Sequence, residues 1–249
     1  MSAPSRILIL GGTADARVLA ERLAGHGGIA TITSLAGRTK TPTDLPGAVR
    51  TGGFGGAAGL AAYLRSEKIA AVIDATHPFA ARISANAKAA CDETKMPRLY
   101  LARARWGTPE NADVTKTPDF AAAARHLAKT ARRALLTTGT QGIAAFADCN
   151  DVQFWVRLIE PPQEPLPLAR HDVLIARPPF NVAGERALMT EHAIDTLVTK
   201  DSGGGATAAK LSAAADLGVK IVMIARPAPP AGDVAQGIDD ALTWIEKTL

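Results

Sequence analysis

The chain has 249 residues, of which 47% are hydrophobic and 21% are charged. This composition is typical of a folded globular protein and excludes the disordered and fibrous classes. The formal net charge of +4 is too small to indicate a nucleic-acid-binding protein, although it suits a protein with an anionic ligand.

The cysteines and the apolar runs predict a cytoplasmic protein. Cys91 and Cys149 are far apart and show no metal or redox spacing, so we expect two reduced, buried thiols and no metal site. The alternative is a single structural disulfide between these two residues. No apolar run reaches the roughly 18–20 residues of a membrane span, and the N-terminus has no long apolar region.

Strands and helices alternate in the first part of the chain. Arg6–Leu10 is an apolar run that ends at two glycines, which is typical of a strand buried on both faces of a parallel sheet. Further strands are predicted at Ile29–Ser34, Val49–Thr51, Ala70–Ala75 and Arg98–Ala102. Helices are predicted at Thr13–Ala24, from Gly55 to about Lys68, and from His77 to about Thr94.

The segment Arg103–Pro118 has weak periodicity and contains Gly107 and two prolines, so we predict a domain boundary there, between residues 1–105 and 106–249. Beyond it, strands are predicted at Ala134–Thr138, Val152–Glu160, Thr196–Lys200 and Val219–Ala225. Helices are predicted at Phe120–Lys129, Gln141–Ala147, Asn181–His192, Ala206–Leu217 and Asp233–Leu249.

This alternation predicts an α/β protein with mainly parallel sheets. Ligands of such sheets bind beyond the carboxyl ends of the strands, so the residues that follow each strand are the candidates for function. In this chain those residues are rich in Gly, Thr, Ser, Lys and His.

The first such junction is Gly11-Gly12-Thr13. Glycines let the backbone approach a ligand, and the amides at a helix N-terminus attract phosphate. Arg17, one turn into the helix, is within reach of the same anion. The alternative is a tight strand-to-helix turn without a ligand.

The second strand is followed by Leu35–Lys40, where an NAD enzyme usually carries an acidic residue for the ribose. This chain instead offers Ser34, Arg38, Thr39 and Lys40, which suit a 2′-phosphate and therefore favour NADP. A solvated basic loop is the alternative. The glycine cluster Gly52–Gly56 allows close contact with a cofactor, or is only a flexible loop.

His77 follows another predicted strand, where it is a candidate for hydrogen bonding or proton transfer, or a structural cap at a helix start. In the second half, Thr137–Thr140 and Lys200–Gly205 resemble anion-binding loops. We expect Lys210 to lie on a solvated helix face.

Other basic residues are also expected on solvated surfaces: Arg98, Arg103, Arg105, Arg125, Lys129, Arg132 and Arg133.

Together these motifs resemble the precorrin-6A reductase family of cobalamin biosynthesis, over nearly the full length and in the same order. The matching segments are Gly11–Thr13 with Ala16-Arg17, Ser34–Arg38, Gly52–Gly55, Asp74–Ala80, Thr137–Gly139, Thr199–Gly204 and Ile224–Pro227. The His-Pro-Phe-Ala and Lys-Asp-Ser-Gly motifs are specific in combination.

The resemblance implies two Rossmann-like domains with an active-site cleft between them, and hydride transfer from NADPH to C19 of precorrin-6A, a polycarboxylate tetrapyrrole, giving precorrin-6B. It implies no metal or flavin. We expect NADPH at Gly12, Thr13, Arg17, Ser34, Arg38, Thr39, Gly53 and Gly55. We expect the macrocycle at Thr138, Gly139, Lys200, Ser202 and Gly203, with His77 and Lys200 as catalytic candidates. The proton donor stays open, since water is an equal candidate.

Alternatives to this prediction are a cobalt-precorrin-6A reductase and a non-catalytic NADPH-binding sensor. A short-chain-type dehydrogenase is disfavoured because Tyr63 and Tyr100 are followed at the required offset by Glu67 and Ala104 instead of lysine. We expect a monomer or a weak homo-oligomer, with neither nucleic acid nor membrane as partner.

Overall fold

The computed structural model describes residues 3–37 and 45–249. Within these residues the chain forms two compact units, each with a six-stranded sheet in which the strand pairings are parallel. The predicted α/β class with parallel sheets is therefore confirmed.

The described strands are β1 (Ser5–Leu10), β2 (Ile29–Leu35), β3 (Ala48–Thr51), β4 (Ile69–Asp74), β5 (Arg98–Leu101), β6 (Val114–Thr117), β7 (Arg133–Leu136), β8 (Gln153–Leu158), β9 (His171–Ile175), β10 (Thr196–Lys200), β11 (Lys220–Ile224) and β12 (Asp233–Ala235). The described α-helices are α1 (Ala14–Leu23), α2 (Gly56–Ser66), α3 (Ala81–Thr94), α4 (Phe120–Thr130), α5 (Val182–Glu191), α6 (Ala209–Asp216) and α7 (Ile238–Thr248). Short 3-10 turns occur at Ile143–Phe146 and Gly205–Thr207.

The first unit has the strand order β12-β5-β4-β1-β2-β3, and both faces of its sheet are covered. On β1, Ile7 and Ile9 pack in a core cluster with residues of α1 and α7. Leu8 and Leu10 of the same strand pack in a second cluster with α2 and α3. This alternation explains why the strand is apolar at consecutive positions.

The predicted second domain, 106–249, is wrong at its C-terminal end. The second unit is Arg105–Arg226, and Pro227–Leu249 belongs to the first unit. The predicted helix Asp233–Leu249 is in fact β12, which pairs with β5, followed by α7. A three-residue strand is defined by its pairing partner, which local periodicity does not reveal.

Arg98, predicted to be solvated, is buried at the start of β5. Its Nη2 donates to the carbonyl of Ala231 at 2.8 Å and to that of Pro230 at 3.5 Å. The side chain therefore holds the segment that leads into β12, and its charge faces backbone carbonyls instead of water.

The second unit has the strand order β6-β11-β10-β7-β8-β9. One core cluster joins its central strands to α5 and α6, with Leu197 of β10 and Leu211 of α6 among its members. Elsewhere in the unit, Phe146 of the first 3-10 turn packs edge-on against Phe154 of β8, with ring centroids 6.0 Å apart.

Several predicted boundaries differ from the structure. The helix predicted from His77 begins at Ala81, because His77–Ala80 forms a turn, and the helix predicted at 141–147 is the 3-10 turn Ile143–Phe146. Strands β6 and β9 lie at sheet edges and were not predicted. Edge strands carry less of the continuous apolar pattern that identifies central strands.

Both cysteines are buried and free, as predicted, and burial raises the pKa of the Cys91 thiol to about 12. Burial also raises the pKa of the Cys149 thiol, so neither thiol is activated as a nucleophile. Among the described residues, no helix is both long and apolar enough to span a bilayer.

Candidate functional site

The junction between β1 and α1 is organised by Thr13. Its Oγ1 accepts a hydrogen bond from the Ala16 amide at 3.1 Å, which caps the helix, and donates one to the Ala75 carbonyl at 2.7 Å. Gly12 has a φ of 95°, and a Cβ there would meet no atom within 4 Å. The turn is thus tied to the end of β4 while the space above it stays open, as a phosphate site requires.

Arg17 lies on α1, where its Nε donates to Glu21 Oε1 at 2.9 Å on the exposed surface. Exposed i,i+4 pairs of this kind are weak, so this one would compete little with a bound phosphate.

The ends of β2 and β3 meet at Arg50, which was not among the predicted site residues. Its Nη1 donates to Ser34 Oγ at 2.8 Å and to the Gly52 carbonyl at 3.0 Å, and its Nη2 donates to the Gly53 carbonyl at 3.1 Å. The guanidinium also lies 3.8 Å from the centroid of the Phe54 ring. The sequence signal that could have identified Arg50 is its position at the end of a predicted strand, two residues before the glycine cluster.

The glycine loop beside Arg50 is open to a ligand. Gly52, Gly55 and Gly56 have positive φ values of 108°, 78° and 92°, and a Cβ at these positions or at Gly53 would meet nothing within 4 Å. The predicted residues Arg38 and Thr39, and Lys40 beside them, lie outside the described residues. In the described part of this junction, Ser34 supplies a hydroxyl and Arg50 supplies a cation.

His77 follows β4 in the turn that precedes α3. Its Nδ1 accepts a hydrogen bond from the Phe79 amide at 3.2 Å, so a neutral ring carries its proton on Nε2. Just before it, the buried Asp74 accepts hydrogen bonds from the amide and the hydroxyl of Thr76 through Oδ1. The turn is therefore ordered by its own polar groups, and the histidine has a defined tautomer.

In the second unit, the end of β7 carries Thr137, Thr138 and Gly139. Thr137 bonds to the Val198 carbonyl of the neighbouring strand through both its amide, at 2.9 Å, and its hydroxyl, at 3.0 Å. Thr138 is buried, whereas Gly139 has a φ of 70° and open space at its Cβ position. These residues form a shaped turn next to the end of β10.

The loop after β10, Lys200–Gly204, is held on one side by Asp201. The Asp201 carboxylate pairs with Arg105 and lies 3.5 Å from Arg226 Nη2, while Arg226 Nε donates to the Asp201 carbonyl at 2.9 Å. Arg105 lies on a solvated face, as predicted, with 64% of its side chain exposed, and from there it pairs with this loop through Asp201. Asp201 is thus a fixed part of the loop, and the cation of Lys200 stands beside it in the chain.

The other side of the loop is held by Trp106, whose Nε1 donates to the Gly204 carbonyl at 2.7 Å. Gly203 and Gly204 both have positive φ, at 68° and 86°. Trp106 was missed because it lies in the weakly periodic segment that we interpreted as a linker.

Lys210, predicted on a solvated helix face, is buried with 3% of its surface exposed. Its Nζ lies 4.9 Å from the centroid of the Trp106 ring. Arg103, also predicted to be solvated, is mostly covered and donates to Asp15 at 2.7 Å within the first unit. Both errors have one cause, since long basic side chains are usually exposed and only their tertiary partners reveal the exceptions.

Three comparisons with known proteins agree. The family model described as "Precorrin-6x reductase CbiJ/CobK" matches residues 6–246. The precorrin-6A reductase of Rhodococcus erythropolis is 46% identical over 242 residues and 97% of each chain. That of Rhodobacter capsulatus is 42% identical over 97% of this chain and 96% of its own.

More distant relatives include the cobalt-precorrin-6A reductase of Priestia megaterium, which is 30% identical over 95% of this chain and 96% of its own. Among solved structures, one titled "CobK precorrin-6A reductase" superposes with a TM-score of 0.91 at 41% identity. It covers 98% of this chain and 97% of its own.

Proposed function

The chain belongs to the precorrin-6x reductase family, and we propose that it catalyses the NADPH-dependent reduction of precorrin-6A to precorrin-6B. The observation that carries this proposal is the full-length likeness to precorrin-6A reductases, combined with open, polar loops at the carboxyl ends of both sheets. In parallel α/β sheets this is where ligands bind.

The metal-free substrate is favoured over its cobalt-containing counterpart by the pattern of identities. Relatives named precorrin-6A reductase are 40% to 46% identical to the chain. Relatives named cobalt-precorrin-6A reductase are 26% to 30% identical.

The proposed cofactor fits the residues of the first unit. A dinucleotide phosphate would lie over Gly12 and Thr13 at the N-terminus of α1, where a Cβ on Gly12 would meet no atom within 4 Å. The 2′-phosphate would lie near Ser34, with Arg50 as the described cation and Arg38 and Thr39 as predicted ligands. A fixed guanidinium favours a phosphate over a free ribose hydroxyl.

When bound, NADPH supplies a hydride, and the product also needs a proton on the neighbouring carbon. His77 is a candidate donor through Nε2, since Nδ1 is engaged by the Phe79 amide. Lys200, the hydroxyl of Ser202 and the amide of Gly203 would receive substrate carboxylates, since the Ser202 amide donates to the Lys200 carbonyl at 2.7 Å. A cation there would stabilise charge that develops in the conjugated ring. Thr138 and Gly139 would border the same ligand.

The cytoplasmic location stays a prediction, as does the oligomeric state, a monomer or a weak homo-oligomer.

The test is an anaerobic incubation of the purified protein with precorrin-6A and NADPH, followed by absorbance and product mass. A gain of about two mass units, matched to NADPH loss, is expected for hydride plus proton addition. Turnover of only the cobalt-containing substrate would overturn the choice of substrate. NADPH binding without reduction of either substrate would favour the sensor.

A further inference from the structure

Lys210 is a buried cation that the proposed reaction does not use. It lies in the first turn of α6 with 3% of its surface exposed. A lysine is almost never buried without a partner, because removing an ammonium group from water is costly. Its surroundings therefore indicate what it does.

The charges around Lys210 do not balance. Arg157 on β8 and Lys200 on β10 are cations, and Glu185 on α5 is the carboxylate that faces the group. Glu185 Oε1 accepts from Arg157 Nη1 at 2.6 Å within the buried interior, whereas its Oε2 is buried without a hydrogen-bond partner among the described residues. Burial, together with Arg157 and Lys200, lowers the pKa of Lys210 to about 7, while Glu185 acts in the opposite direction.

The ring of Trp106 lies next to this cation and links it to the loop after β10. Lys210 Nζ is 4.9 Å from the ring centroid, which is within the range of a cation–π interaction. The indole Nε1 of the same residue donates to the Gly204 carbonyl at 2.7 Å. A chain of direct contacts therefore runs from α6 through Trp106 to the backbone of Lys200–Gly204.

We propose that Lys210 is a positioning residue that acts through Trp106 to hold the Lys200–Gly204 loop in its ligand-binding conformation. The identity of that ligand, a polycarboxylate macrocycle, rests on the proposed function. The contact is strongest when the ammonium is charged, so the loop is held more firmly in slightly acidic than in slightly alkaline solution. The affinity for the macrocycle should fall as the pH rises through neutrality. The affinity for NADPH, which depends on the first unit, should not show this change.

The first arm of the test is the tryptophan fluorescence of the unliganded protein between pH 5.5 and 8.5. Trp155 must be separated from Trp106, because Trp155 contributes to the same emission and the His192 ring stacks on it at 5.2 Å. The pH-dependent change in fluorescence that belongs to Trp106 is therefore defined as the component that Trp106→Phe removes. Lys210→Met should also remove it, and His192→Gln should retain it. Persistence of this component in Lys210→Met would overturn the proposal.

The second arm measures steady-state kinetics with precorrin-6A at pH 6.5. Lys210→Met should raise the KM for the macrocycle about tenfold, with a smaller change in kcat and an unchanged Kd for NADPH. Trp106→Phe should act in the same way, and the double variant should lose no more than either single variant. Lys220→Met, an exposed lysine of the same unit, is the matched control.

Additive effects of the two substitutions, or a normal macrocycle KM in Lys210→Met, would contradict the proposal. If Lys210→Met does not fold, the pH dependence of the unmodified protein and of Trp106→Phe still decides the matter. A macrocycle KM that does not change between pH 6.5 and 8.5 in the unmodified protein, or that changes equally in Trp106→Phe, would overturn the proposal. If the unmodified protein fails to reduce precorrin-6A, the proposed substrate is wrong, while the fluorescence arm still tests the role of Lys210.

Discussion

Arg50 shows how much a single side chain contributes at the end of the first unit where the cofactor is proposed to bind. Its guanidinium bridges the hydroxyl of Ser34 and the carbonyls of Gly52 and Gly53, and it stacks on Phe54. One charge thus orders the glycine loop and stands where the 2′-phosphate is proposed. Sequence reasoning identified the neighbouring glycines and Ser34, but the convergence of β2 and β3 on this arginine requires their pairing.

We predict that Arg50→Met weakens NADPH binding about 10- to 100-fold, because a charged hydrogen-bond donor is worth roughly 1.5–3 kcal/mol. NADH binding should weaken less, since NADH has no 2′-phosphate. Kd values from the quenching of protein fluorescence would measure both. Arg65→Met is the control, since Arg65 pairs with Glu93 on the exposed surface. An equal loss for NADPH and NADH would show that Arg50 only orders the loop.

Lys200 carries the corresponding prediction for the second unit. Lys200→Ala should raise the KM for precorrin-6A and lower kcat, because the substrate loses a cation next to its carboxylates. The Kd for NADPH should stay unchanged. Normal macrocycle affinity and turnover in this variant would show that the role of Lys200 is only structural.

At the scale of elements, each candidate site is a strand end followed by a polar turn. Most of these junctions were predicted correctly, because an apolar run followed by Gly, Thr or Ser is a local signal. The turn between β1 and α1 adds what the pattern lacked, which is the bond from Thr13 to the end of β4. This bond joins two loops that are 62 residues apart in the chain.

We therefore predict that Thr13→Ala lowers the free energy of unfolding by about 1–2 kcal/mol, as expected for a lost N-cap. It should also weaken NADPH binding, because the amides of the helix N-terminus lose their fixed direction. Urea unfolding and NADPH titration measure the two effects. Thr130→Ala, which removes only a bond to the His126 carbonyl within α4, should change stability by less than about 0.5 kcal/mol. Equal effects of the two substitutions would exclude the capping role.

At the scale of the whole molecule, the chain returns at its C-terminus to complete the first unit. Ile245 of α7 is 1% exposed and packs in the same cluster as Ile7, Ile9 and Leu19. The first sheet is thus built from both ends of the chain, and its core depends on residues far from the predicted cofactor motifs.

We predict that Ile245→Ala destabilises the first unit by about 2–5 kcal/mol, because it leaves a cavity in a closed core. Leu249→Ala should have little effect on stability, because Leu249 is 47% exposed. Thermal or urea unfolding, measured with and without NADPH, reports on this unit, because the cofactor is proposed to bind there and to stabilise it. Similar stability of the two variants would contradict the packing of α7.

The pH dependence of stability is also a property of the whole molecule. The pKa of Lys210 is about 7 when folded, below its ordinary value of 10.5, so the unfolded chain binds this proton more tightly. The cost of burying the charge is full below pH 7 and is relieved as the pH rises toward 10.5, so stability should increase over this range. In Lys210→Met, the part of the increase in unfolding free energy between pH 6.5 and 8.5 that comes from Lys210 should be absent. An identical slope in both proteins would show that Lys210 is not the titrating group.

The sequence by itself determined the α/β class, the order of the central strands and helices, and the family resemblance, because those depend on local apolar patterns and on motifs that are contiguous in the chain. It also located the glycine and hydroxyl turns at the strand ends. The return of Pro227–Leu249 to the first sheet, the clamp of Arg98 on Ala231, and the burial of Lys210 against Trp106 were decided only by the tertiary structure. Arg98 and Lys210 are of residue types that are solvated in most proteins, and only contacts between distant segments make their burial favourable. The pairing of β12 with β5 likewise joins distant segments, which no local pattern reveals.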